Sequence, residues 1–140
     1  MIRTIETIQC SGSKDKESED GVFIHDIAGS EAFVVLDGVS SLGGDMTTHE
    51  DGRPCSSGRW VMERLLDYMA DRDPKYDALE TLRYANDRLK YSKPPMQFRG
   101  LPIEHMPAAA AFAVCLNAQH NTFSWAQAAD SVGFVKKKDW

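Results

Sequence analysis

Three acidic clusters stand at the ends of apolar, β-rich stretches of this sequence. Glu19-Asp20 precedes Gly21-Val-Phe-Ile-His-Asp26, Asp37-Gly38 follows Ala32-Phe-Val-Val-Leu36, and Asp130-Ser131 separates Thr122–Ala128 from Ser131–Val135. An ionised carboxylate resists desolvation, so its place at the end of a core strand calls for a solvated turn or a ligand. Taken singly, each cluster reads as turn chemistry, because Asp is a common turn former. Neighbouring strands would bring all three to one end of a sheet, where they would repel one another unless a cation held them. Oxygen-only donors suit a hard divalent ion such as Mg²⁺ or Mn²⁺. The glycine after Asp37 lets the backbone turn tightly enough to offer a carbonyl as well.

The elements that must position these groups are legible as periodicities. Ile2–Gln9 reads as a first strand, although Ile2, Ile5 and Ile8 at a spacing of three also fit a helix, and Gly21–Asp26 reads as a strand closed by the turn formers Gly29-Ser30. Ala32–Leu36 is a continuous β-branched run, expected to be a strand buried on both faces and ending at Asp37-Gly38. Val39–Cys55 reads as a loop rich in Gly, Ser, Thr and Asp. Met62, Leu65, Leu66 and Met69 then fall at helical spacing, which predicts a helix over Ser56–Ala70 capped by Ser56 or Ser57. Leu79, Leu82, Ala85 and Leu89 make the stripe of a second helix, with Asp73-Pro74 as the expected cap and Lys93-Pro94-Pro95 as the stop. After a loop over 92–106, Ala108–Leu116 and Thr122–Ala128 read as an antiparallel pair about the turn Asn117–Asn121, followed by a strand at Ser131–Val135. Strands, two helices, then strands again imply an α+β fold with helices stacked on a largely antiparallel sheet.

Composition bounds the function. The 140 residues, 42% hydrophobic and 26% charged, suit one domain with a real core. A net charge of −5 with no basic block beyond Lys136-Lys137-Lys138 argues against nucleic acid as a partner. The longest apolar stretch, Ala108–Leu116, is too short to span a membrane. The N-terminus lacks a secretory pattern, so the cytoplasm is the expected location. Cys10, Cys55 and Cys115 lack ligand or disulfide spacing and read as free thiols, with Cys115 inert in the core. His49-Glu50-Asp51 reads as a polar turn, and Trp60, Trp125 and Trp140 as core packing.

Glu19-Asp20, then Ala32-Phe-Val-Val-Leu-Asp37-Gly38, then a Gly-rich loop into a helix that starts on small residues, resembles the N-terminal half of the metal-dependent protein phosphatases of the 2C type. Phe123–Val135 is similar to that family's strand, Gly-Asp-Ser turn, strand element, so the likeness runs from about Ile5 to Val135. It implies an antiparallel β-sandwich flanked by helices in four layers, α-β-β-α, with two or three Mg²⁺ or Mn²⁺ ions at one edge. By that resemblance Glu19 ligates one metal, Asp20 sits beside the metal waters, Asp37 bridges both ions, Gly38 ligates through its carbonyl, and Asp130 helps hold a third ion. The implied reaction is hydrolysis of phosphoserine or phosphothreonine in a protein substrate by a metal-activated water.

The chain departs from the family pattern in several places. Where the family carries a phosphate-holding Arg, this chain has Asp15 flanked by Lys14 and Lys16, either of which supplies a point charge without a bidentate grip. Pro107-Ala108-Ala109 replaces a Gly-Thr-Thr element, and Ala129 replaces the Gly of Gly-Asp-Ser. No Asp-Gly or Asp-Asn pair follows Asp130, so residues 1–140 are expected to be the N-terminal half of one phosphatase-like domain, with little activity alone and self-association through unpaired sheet edges. The alternative is a catalytically inactive phosphatase-like domain kept as a protein-binding module. A third reading is a generic α+β domain with coincidental acidic turns.

Overall fold

The computed structural model describes residues 18–27, 29–40, 46–48, 52–92, 98–99, 102 and 105–129. The elements are β1 (Asp20–Ile27), β2 (Ser30–Val39), β3 (Met46–Thr48), β4 (Pro54–Ser56), α1 (Ser57–Ala70), α2 (Ala78–Tyr91), β5 (Ala108–Asn117) and β6 (Thr122–Ala128). Four strands form an antiparallel sheet in the order β1-β2-β5-β6, and β3 pairs with β4 in a separate ribbon. The fold is therefore α+β, as the order of elements implies. The expected strands at Ile2–Gln9 and Ser131–Val135 lie outside the described residues.

Local chemistry fixes both hairpins. The β1–β2 turn places Gly29 at φ 80°, where a side chain would be strained, and the Asp26 carboxylate accepts the Gly29 N–H at 3.1 Å. At the β5–β6 turn the Asn117 side-chain oxygen accepts the N–H groups of Gln119 and His120, both at 3.1 Å, and Asn121 takes φ 49°. These turns set the register that pairs Val34 with Phe23 and with Ala113.

The helices cover one face of the sheet. Val61, Met62, Leu65 and Met69 of α1, with Ala78 and Ala85 of α2, are buried against Ala32, Val34 and Leu36 of β2 and Ala111, Ala113 and Cys115 of β5. Alanines on β5 let the helices approach closely, while each large side chain they bury contributes about 1.5–3 kcal/mol. The Ser56 side chain accepts the Arg59 N–H at 3.2 Å, as expected of an N-cap. The cap of α2 is Asp77 rather than Asp73: Asp77 and Glu80 form a reciprocal capping box, which satisfies two backbone donors where Pro74 at a first helical position would satisfy none. Just beyond α1, Arg72 is 2% exposed; its Nη2 donates to the Ser30 carbonyl at 3.0 Å and its Nη1 lies 3.3 Å from His25 Nδ1.

Among the described residues no helix lies on the other face of the sheet, and this corrects two expectations. Val35 is 53% exposed, so the Ala32–Leu36 run is buried on one face only. Trp125, expected in the core, is 59% exposed and stacks on Phe112 with ring centroids 6.3 Å apart. Ile24, Val39 and Phe123 share this open face. Strand β2 also runs on through Asp37-Gly38 to Val39, because β5 continues to pair with it at Ala108–Ala110. The expected loop over Val39–Cys55 contains the β3–β4 ribbon, whose three-residue strands are too short to show an alternating pattern. No helix among the described residues is long and apolar enough to cross a membrane.

Candidate metal centre

The register of the first hairpin brings Asp20 and Asp37 together. They are Cα partners across β1 and β2 and so share the open face, at the end of the sheet nearest the start of α1. Directly opposed residues place their Cβ atoms about 4.5–5.5 Å apart, which sets two carboxylates within reach of a common cation. The Ser18 hydroxyl donates to Asp20 Oδ2 at 3.2 Å and accepts the Asp20 N–H at 3.1 Å, which fixes the approach to β1.

Glu19 is held from both ends. Its backbone carbonyl accepts the Gly38 N–H at 3.0 Å, extending the hairpin by one bond past Asp20. Its Oε1 accepts the Ser40 hydroxyl at 2.6 Å, and the Ser40 oxygen lies 3.3 Å from the Gly58 N–H, which donates to it. The first turn of α1 thus reaches Glu19 through Ser40, with the positive end of the helix dipole directed at the carboxylate. Arg59 completes the clamp: its Nη1 donates to the Ser18 carbonyl at 2.8 Å while its Nε pairs with Glu63 at 2.8 Å.

This convergence requires two glycines. A Cβ on Gly38 would collide with the Gly58 carbonyl, and a Cβ on Gly58 would lie 2.8 Å from both Glu19 Oε2 and the Ser40 nitrogen. The small residues at the start of α1 therefore let helix and strand backbones touch beside the acidic end of the sheet. Gly38 is buried, whereas Asp37 is exposed.

Of the residues singled out from the sequence, Glu19, Asp20, Asp37 and Gly38 share one end of the sheet, Asp20 and Asp37 on its open face and the Glu19 side chain and Gly38 on the helical face. Lys14, Lys16 and Asp130 lie outside the described residues, as do His49, Glu50 and Asp51. The last β6 pair, Ala111 with Ala128, stands next to the Asp37–Ala110 pair, so β6 ends at the acidic end of the sheet. Ala129, which follows it, has φ 63°. Among the described residues, no group of three or more His, Cys, Asp or Glu side chains is gathered closely enough to hold a metal ion. Ser18, Ser40 and Arg59 escaped the sequence reading, because nothing in a loop Ser or a helix Arg announces a partner 18 to 41 positions away. In comparisons with known proteins, no family model, curated protein or solved structure matches the chain.

Proposed function

We propose that this chain is part of a metal-dependent protein serine/threonine phosphatase of the 2C type, acting on phosphoserine or phosphothreonine in proteins. One observation carries the reading: Asp20 and Asp37 are paired across the β1–β2 register at one sheet end, where Glu19 and Gly38 meet the first turn of α1 on the other face. The donor chemistry is all oxygen and anionic, which fits Mg²⁺ or Mn²⁺. When bound, such ions lower the pKa of a coordinated water and neutralise charge on the phosphoryl oxygens. Glu19, Asp20 and Asp37 would hold the cations, the Gly38 carbonyl would add a neutral donor, and Ser40 holds Glu19 in place. Lys14 and Lys16 would supply positive charge for the phosphoryl group, and Asp130 would serve a third ion.

The same reading extends to architecture. A sheet face carrying Val35, Val39, Phe123 and Trp125 is suited to a second sheet, which would complete the sandwich and the four-layer arrangement. The location that fits is the cytoplasm.

Calorimetry with Mn²⁺ on the chain and on its Asp37→Asn variant tests the proposal. The expected result is a binding heat that the variant loses. No heat, or an equal heat in both proteins, overturns it. A folded chain that binds no Mn²⁺ would instead favour the phosphatase-like binding module, a reading consistent with the replacement of the family's phosphate-holding Arg by the Lys14-Asp15-Lys16 run.

A further inference from the structure

On the outer side of the helical layer, away from the sheet, lies an open groove of about 660 Å³ that none of the foregoing uses. The sequence has four tyrosines, and all of them, Tyr68, Tyr76, Tyr84 and Tyr91, line it, together with Arg83 and Arg88. The core of α2 is built on Ala78, Thr81 and Ala85, so Tyr84, Arg88 and Tyr91 form a separate stripe at i, i+4 and i+7 along the outward face. The Tyr76 and Tyr84 rings pack against each other at 57° with centroids 5.7 Å apart, forming one aromatic wall of the groove. The Arg88 guanidinium packs 5.5 Å from the centre of the Tyr68 ring. Tyr68 packs partly against the core, but Tyr76, Tyr84 and Tyr91 are not among the residues that do, and such clustering of outward rings calls for a ligand with apolar rings of its own.

The polar groups narrow the class. Arg83 and Arg88 are balanced by Glu80 and Asp87 on the same wall, so the groove is near neutral and unsuited to a polyanion. Its hydrogen-bonding capacity is nevertheless dominated by donors, namely four phenols and two guanidinium groups. Glu80 is already committed to the Asp77 N–H at 3.0 Å. A donor-rich, net-neutral, aromatic surface complements a ligand that has many carbonyl acceptors, few N–H groups and compact apolar rings. A proline-rich segment in the polyproline II conformation has that composition, with unbonded carbonyls along its length.

Spacing agrees. Tyr84 and Tyr91 are seven helical residues apart, roughly 10.5 Å along the axis. Prolines three apart in a polyproline II helix recur every ~9.3 Å on one side. One proline resting on Tyr84 would place the next against Tyr91. We propose that this groove docks a proline-rich partner segment of the Pro-x-x-Pro type, a mode in which aromatic grooves gain affinity from a ligand already ordered in its bound shape.

Titration of a fluorescein-labelled decaproline peptide into the full chain, read by fluorescence anisotropy, tests it. Saturable binding is expected, weakened at least tenfold by the double change Tyr84→Ala and Tyr91→Ala. Tyr84→Phe with Tyr91→Phe keeps the rings and removes the donors, so it is expected to weaken binding less. Circular dichroism of each variant checks that α2 remains folded. No saturable binding at millimolar peptide, or equal binding by a folded double-alanine variant, overturns the proposal. Preferential binding of a phosphotyrosine peptide over decaproline would overturn it as well, by identifying the ligand as an anion.

Discussion

Asp20 and Asp37 face each other across the β1–β2 register, at the only described end of the sheet that α1 also approaches with its N-terminal turn. Two carboxylates opposed on a sheet cost roughly 0.2–1 kcal/mol through like-charge repulsion, and a divalent cation converts that cost into attraction. Thermal unfolding in millimolar Mn²⁺ is therefore expected to shift upward. At ten times the dissociation constant the gain is about 1.4 kcal/mol. Asp20→Asn is expected to lose this increment while keeping the metal-free melting temperature close to that of the wild type. An equal Mn²⁺ shift in both proteins would count against the paired carboxylates as the binding element.

Ser40 is predicted to matter more than a loop serine should. Its hydroxyl joins Glu19 Oε1 at 2.6 Å to the Gly58 N–H at 3.3 Å, so Ser40→Ala leaves a carboxylate and a helix donor without their shared partner. A hydrogen bond to a charged acceptor is worth about 1.5–3 kcal/mol, and a loss in that range is expected in denaturant unfolding. Mn²⁺ affinity should fall as well, because Glu19 is no longer held. Ser40→Thr retains the hydroxyl and is expected to restore affinity more fully than stability.

Ala129 adopts φ 63°, a conformation that costs an L-residue roughly 1–2 kcal/mol relative to glycine. Ala129→Gly relieves that strain but adds freedom to the unfolded chain, an opposing contribution of about 0.4–1 kcal/mol. The net expectation is a gain between zero and about 1.6 kcal/mol, read as a rise in denaturant midpoint. A loss of stability would mean that the methyl group contributes packing the turn depends on.

The contrast between Ser56 and Ser40 explains how far the sequence could be read. Ser56 declares itself as a cap because its partner, Arg59, is three residues away. Strands β1, β2, β5 and β6 are equally legible, since β-branched runs and Asx turns act over short distances. Ser40 meets Glu19 only after the hairpin register and the docking of α1 are fixed, and no local pattern encodes that meeting. Asp37-Gly38 illustrates the same limit from the other side. A strand was expected to end there because the apolar run ends, yet pairing with Ala110 and Ala109 carries β2 past it. Burial on one face rather than two likewise depends on which layers stand beside the sheet, and Val34 and Val35 are the same residue type with opposite fates.

The Cys115 thiol is predicted to resist ionisation and modification. Burial pushes its pKa up, against the pull of the Thr81 hydrogen bond and of the Arg72 charge. A thiol whose folded pKa exceeds its unfolded value contributes stability that is complete below the unfolded value, about 8.5, and is lost as pH rises toward the folded one. Stability should thus decline between pH 8.5 and the folded value more steeply in the wild type than in Cys115→Ala. Mass-spectrometric mapping after iodoacetamide treatment at pH 8 should find Cys115 unlabelled in the native protein and labelled after unfolding. Native labelling at the unfolded rate would show that the strand opens readily.

The open face of the sheet carries the last prediction. Val35, Val39, Phe123 and Trp125 are each more than half exposed and lie on one side of a single sheet. Four strands about 4.8 Å apart and some six residues long make a face near 400 Å² in projection, and more in accessible area once side chains are included. Apolar patches of several hundred Å² are uncommon on monomeric proteins, and specific interfaces bury about 800 Å² per partner. The chain is therefore expected to self-associate through this face, and not only through the edges that β1 and β6 present. Sedimentation velocity across ~1–100 µM should show mass increasing with concentration. Val35→Lys with Trp125→Lys should abolish the increase while the fold is kept, with a small fall in melting temperature from the lost Trp125–Phe112 stacking, since neither side chain supports the helical layer. If the double variant associates as strongly as the wild type, the edges carry the contact. If the wild type stays monomeric throughout that range, the face does not bind a second copy.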